Sequence, residues 1–241
     1  MARAPAQLHL DRTRWGGFRP GAGRKPGPNP LVRHRSREKF ARGLPCLVTL
    51  KVRDDVPSLR SGKLVAEVER RFARGCERGD FRLVHYSLQG NHAHLIVEAV
   101  DREALGRGMK ALGARLARAV NRVFARTGRV LADRYHVRVL RGSREVRNAL
   151  RYVLLNARRH AAQGGRRLQR VVRPDPASSG RWFDGWRLGG GASGRAVADD
   201  FGLSLEVPGS GAVALPRSWL LREGWRLRGG GRIDPSDVPG R

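Results

Sequence analysis

The sequence predicts an α+β domain: a ferredoxin-like split βαβ antiparallel sheet with an extra C-terminal helix, flanked by basic and Gly/Pro-rich tails. Three observations lead there. Between residues 44 and 163, short apolar runs of strand length and runs with apolar residues three or four apart follow the order β-α-β-β-α-β-α. Two of the strand runs are separated only by Gln89-Gly90-Asn91, which joins them as a hairpin. The stretch also has the length of one ordinary domain.

Each element follows from its residues. Residues 45–52 (PCLVTLKV) are a short apolar run of strand length. Residues 61–78 place Leu64, Val65, Val68 and Phe72 at helical spacing, and Gly79 closes the run. Residues 81–88 (FRLVHYSL) and 92–99 (HAHLIVEA) form the hairpin strands. Asp101 then caps a long helix whose apolar side is Leu105, Met109, Leu112, Leu116, Val120, Val123 and Phe124, with Gly128 as its stop. Residues 135–140 (YHVRVL) are the fourth strand. A last helix over 145–163 turns Val146, Leu150, Val153 and Leu154 to one side, and Gly164-Gly165 end it.

The flanks differ. Residues 1–43 hold eleven Lys/Arg, two acids and a Gly/Pro cluster, so this arm cannot build a core and is expected to order only on a partner. The central domain is expected over 44–165. Residues 166–241 form an extension rich in Gly and Pro, with a flexible linker at 189–194 and four of the five tryptophans (182, 186, 219, 225). Those patches are too apolar for pure disorder, and they either pack back on the core or form small docking elements.

Composition narrows the partner. The 49 Lys/Arg against 21 Asp/Glu give a formal charge of +28 and a pI near 11.8. Such an excess calls for a polyanion, with nucleic acid leading because phosphate contacts dominate the affinity of basic proteins. A membrane surface would require a basic amphipathic segment with exposed aromatics, and no apolar run reaches the length of a membrane span. The first twenty residues carry charges and no apolar core of a signal peptide, and Cys46 and Cys76 have no metal-site spacing. A soluble, cytoplasmic, nucleoid-associated protein with reduced thiols is expected.

The chemistry-bearing residues lie on two elements. Side chains alternate along a strand, so His92 and His94 point to one face, while Ala93, Leu95 and Val97 point to the other. Two imidazoles so placed can bind one divalent cation, but His-x-His alone is equally the pattern of surface histidines. On the last helix, Tyr152 and Asn156 stand four apart and so share a face at the margin of its apolar side, within reach of the strand carrying the two histidines. His85, His136, Tyr86 and Tyr135 read as structural or packing residues. On the long helix, Arg107, Lys110, Arg115, Arg118, Arg122 and Arg126 form a basic stripe for DNA, or simply a solvated face. In the N-terminal arm, Arg19 and the Arg24-Lys25 pair sit in Gly/Pro settings suited to a minor groove, or to a nonspecific basic tail.

Asn91-His92-Ala93-His94 on a strand, followed by Tyr152-Val153-Leu154-Leu155-Asn156 on the closing helix, resembles the single-tyrosine HUH transposases, and most closely the REP-associated tyrosine transposases. The resemblance spans residues 37–163. It departs where the family has Met-Pro before the Asn-His and this chain has Gln89-Gly90, and where a Pro follows the helical Asn and this chain has Ala157. The resemblance implies a metal-dependent single-strand DNA endonuclease and strand transferase. Tyr152 would be the nucleophile, forming a 5′-phosphotyrosine, and His92, His94 and Asn156 would hold Mg²⁺ or Mn²⁺. The implied partner is single-stranded, hairpin or REP-like palindromic DNA, and the chain would act as a monomer or homodimer. The alternative is a non-catalytic DNA or RNA hairpin-binding protein derived from such a transposase.

Overall fold

The central strands are buried on both faces of the sheet, seen in a computed structural model that describes residues 43–165, 174–187 and 211–239. All of these fall in one unit, Lys39–Arg241. Arg19, Arg24 and Lys25, and the 189–194 linker, lie outside the described residues.

The elements in chain order are β1 (Pro45–Lys51), α1 (Gly62–Ala73), β2 (Glu77–Arg78), β3 (Phe81–Leu88), β4 (His92–Ala99), α2 (Arg102–Val123), β5 (His136–Val139), α3 (Ser143–Leu154) and α4 (Asn156–Gln163). A 3₁₀ turn (Ser179–Trp182) and a π-helical segment (Leu220–Gly224) running into α5 (Trp225–Leu227) follow. The sheet order is β2-β3-β4-β1-β5, with every pair antiparallel. Setting aside the two-residue β2, this is the split βαβ arrangement predicted above. Among the described residues no helix is long and apolar enough to cross a membrane.

Local signals act as expected at several boundaries. The Asp101 carboxylate accepts from the Ala104 amide at 2.7 Å, and the Ser61 hydroxyl from that of Leu64 at 3.3 Å. Two helices differ from expectation. The first stops at Ala73 instead of reaching residue 78, because Glu77 and Arg78 turn back to pair with Arg82 and Phe81. The last splits at Leu155, whose backbone (φ −112°, ψ 14°) leaves the centre of the helical region, so the break falls between Tyr152 and Asn156.

Each face of the sheet has its own core. Cys46, Val48 and Leu50 of β1, Leu83 and Tyr86 of β3, and Leu95 and Val97 of β4 pack against α1 and α2. On the opposite face Val84 and Ile96 meet Val146, Leu150, Val153 and Leu154 of α3. A bulge between Leu83 and His85 inserts Val84 into β3, which lets Leu83 and Tyr86 face the first core while Val84 serves the second. The C-terminal extension completes both cores: Trp182 joins the first, and Phe183, Trp186, Leu221, Trp225 and Ile233 join the second. Its later part is fastened to β4 by the buried Glu98 carboxylate, which accepts from the amides of Arg217 (2.7 Å) and Ser218 (2.8 Å). Three of the four extension tryptophans are thus interior, whereas Trp219 stays 46 % exposed.

Candidate active site

Strand alternation puts His92 and His94 on the same face of β4 as Ile96, which is the face that α3 covers. Antiparallel register sets Thr49 of β1 on one side of His94 and Ser87 of β3 on the other, and places Lys51 beside His92. Tyr152, half-buried near the end of α3, reaches across to this row. Its hydroxyl lies 3.0 Å from Nε2 of His94, and the two rings stand 4.7 Å apart edge to face. Nδ1 of His94 lies 3.0 Å from the Thr49 hydroxyl. His92 stacks edgewise on His94 at 4.6 Å, and its Nδ1 is 2.8 Å from the Asn91 side-chain oxygen. The group opens into a cleft of about 620 Å³, lined also by Arg138, Asn148 and Arg159.

Charge around the row is positive. Burial, reinforced by His92, His160 and Arg159, pushes the His94 imidazole down to about 3, so the ring is neutral across the physiological range. His92 is lowered too, first by burial and then by His160 and Lys51. The Arg159 guanidinium lies over the Tyr152 ring at 5.4 Å from its centroid. Phenol, neutral imidazole and hydroxyl therefore form one connected hydrogen-bonded chain at the wall of a cleft.

No protein-family model matches the sequence, and no curated protein matches it. Two solved structures are similar in fold at low scores. One is a REP-associated tyrosine transposase bound to a REP hairpin, with a TM-score of 0.41, 14 % identity, and coverage of 54 % of this chain and 74 % of that one. The other, from Deinococcus radiodurans, is described as a transposase, with a TM-score of 0.32, 16 % identity, and coverage of 46 % and 87 %. Likeness at this level assigns neither family nor chemistry, and the functional reading stands on the geometry.

Asn156, the first residue of α4, is 1 % exposed, and neither its amide nitrogen nor its oxygen has a hydrogen-bond partner among the described residues. An orphaned buried amide costs on the order of 1–3 kcal/mol. No three His, Cys, Asp or Glu side chains gather to hold a metal among the described residues, and Asn156 is not part of the lining of the cleft that holds His94 and Tyr152. Two imidazoles and an amide oxygen fit a borderline cation such as Mn²⁺, and admit Mg²⁺ if water and phosphate oxygens fill the shell.

Other predicted residues fall elsewhere. Lys110, Arg115, Arg118 and Arg122 belong to α2, which packs on the opposite face of the sheet from Tyr152. Arg115 is engaged with the carbonyls of Ala111 and Arg74, and Arg122 approaches Glu67 at 3.9 Å. His85 is buried and within 3.1 Å of the Ser179 hydroxyl, and Tyr86 is fully buried against Phe72, but His136 is exposed rather than interior. The sequence reading missed Thr49, Lys51, Arg159 and His160. The last two continue the helical spacing of Tyr152 and Asn156 and were within reach of the same pattern. Thr49 and Lys51 were not, because nothing local sets the β1–β4 register.

Proposed function

We propose that this chain is a metal-dependent single-strand DNA endonuclease and strand transferase, acting through a 5′-phosphotyrosine at Tyr152 on hairpin or REP-like palindromic DNA. The 3.0 Å contact between the Tyr152 hydroxyl and His94 Nε2 carries the reading, since it joins a nucleophile to a histidine that lies far from it in sequence. Lys51 beside His92 and Arg159 in the cleft wall offer positive charge to the scissile phosphate, while Arg138 is paired with Glu145 at 3.2 Å. The Tyr152 hydroxyl gives its proton to water as its oxygen attacks phosphorus, the Tyr O–P bond forms as the P–O3′ bond breaks, and the departing 3′-oxygen takes a proton from water to become a hydroxyl. Held neutral, His94 is too weak a base to ionise a phenol of pKa about 10 unaided. Mg²⁺ or Mn²⁺ on His92, His94 and Asn156 would polarise the phosphate and stabilise the phenolate. The covalent ester conserves the phosphodiester bond energy, so rejoining to another 3′-hydroxyl needs no nucleotide cofactor.

Incubating the full chain with single-stranded hairpin DNA and Mn²⁺ or Mg²⁺ should give a covalent adduct on a denaturing gel, absent in Tyr152→Phe. An adduct that persists in Tyr152→Phe would remove Tyr152 from the role. Hairpin binding with no adduct in the unaltered protein would leave the non-catalytic binding reading.

A further inference from the structure

Resting on the strand-cleavage reading above, we infer that Thr49 is a positioning residue that holds His94 in the Nδ1–H form, leaving Nε2 as a free lone pair towards Tyr152. A neutral imidazole carries one proton, and which nitrogen bears it depends on the partners. His94 has a hydroxyl at each end: Thr49 on Nδ1 and Tyr152 on Nε2, both at 3.0 Å. The phenol is the stronger acid of the two and hence the better donor, so Tyr152 donates to Nε2 and Nδ1–H donates to Thr49 Oγ1. The reverse arrangement would put the proton on Nε2, where the ring could neither accept the phenol's hydrogen bond nor bind a cation.

Two further features agree. Ser87, the other cross-strand neighbour of His94, is buried with its hydroxyl accepting from the Gln89 side-chain amide at 2.6 Å, and among the described residues it makes no hydrogen bond to the ring. His92 repeats the pattern: the Asn91 oxygen, which can only accept, faces its Nδ1 at 2.8 Å and fixes the proton there. Both imidazoles therefore keep Nε2 unprotonated. Threonine suits the task because β-branching limits its rotamers, and pairing across the β1–β4 ladder fixes its height against His94. Ligating histidines are held in this way by an acceptor on the second nitrogen, whose loss typically weakens metal affinity about 10- to 100-fold.

The test uses ¹⁵N-detected imidazole spectra of the full, metal-free chain alongside Mn²⁺ binding by calorimetry. Wild type should show His94 as Nδ1–H, and Thr49→Val should lose that form with about a 10- to 100-fold drop in Mn²⁺ affinity. Thr49→Ser, which restores the hydroxyl, should recover both, and it separates the role from mere packing. An Nε2–H signal in wild type, or an unchanged tautomer and Mn²⁺ affinity in a folded Thr49→Val, would overturn the assignment. If the tautomer responds to Thr49 but wild type forms no covalent DNA adduct, the cleavage reading fails and the Thr49 assignment stands.

Discussion

Nε2 of His94 has a single lone pair, and here the Tyr152 hydroxyl holds it at 3.0 Å. On the proposed function, a cation on the same nitrogen has to displace the phenol, so the proposed nucleophile and cation compete for one lone pair. Removing the phenol should therefore help metal bind even as it abolishes chemistry. A neutral hydrogen bond is worth about 0.5–1.5 kcal/mol, so Tyr152→Phe should bind Mn²⁺ about 2- to 10-fold more tightly in the absence of DNA. Calorimetry would show this directly, and unchanged or weaker binding would mean that the phenol does not compete. The orphaned amide of Asn156 belongs to the same logic, because a polar group left without a partner in the interior is one that loading can satisfy.

The elements decide which residues can cooperate. α3 and α2 cover opposite faces of the sheet, so Tyr152 reaches the histidines from α3, while the arginines of α2 belong to the other side of the sheet. α2 lies unusually close to β3 at Gly108, where an added Cβ would sit 2.2 Å from the buried Phe81 ring. Gly106 on the same helix has open space around it. Alanine should therefore act with opposite signs at the two sites. Gly106→Ala should stabilise by about 0.4–1 kcal/mol by restraining the unfolded chain. Gly108→Ala should destabilise by about 1–3 kcal/mol through overpacking. Urea denaturation measures both, and equal shifts would show that α2 can move off the sheet.

At the scale of the whole molecule the C-terminal extension is part of the fold, because it supplies Trp225, Phe183 and Ile233 to the core beneath the sheet and buries His85 under Ser179 and Phe183. Burial pushes the His85 imidazole down to about 4, with Asp184 opposing the shift only in part. The folded value is depressed below the unfolded one of about 6.5, so the contribution to stability is fully present above pH 6.5. It is lost as pH falls towards 4, because the unfolded chain takes up the proton first. His94, lowered to about 3, acts in the same direction. Between pH 7 and 4.5 the urea midpoint should fall, and His85→Gln should flatten that fall even though it lowers the midpoint at pH 7. An equal slope in both proteins would place the acid sensitivity elsewhere.

How much of this was legible follows from the range of the interactions. The order of elements, the tight hairpin before His92, the Asp101 cap and the shared face of His92 and His94 are consequences of local periodicity and backbone chemistry, which the sequence carries by itself. The spacing of Tyr152 and Asn156 was legible too, although the break at Leu155 was not. Only the tertiary structure decided that α3 covers the histidine face, that Thr49 and Lys51 stand beside the two histidines, and that three tryptophans of the extension fill the cores. Those facts depend on strand register and on the choice of face. A single-residue slip in pairing would invert them, and nothing in the local sequence around β1 encodes which way the pairing falls.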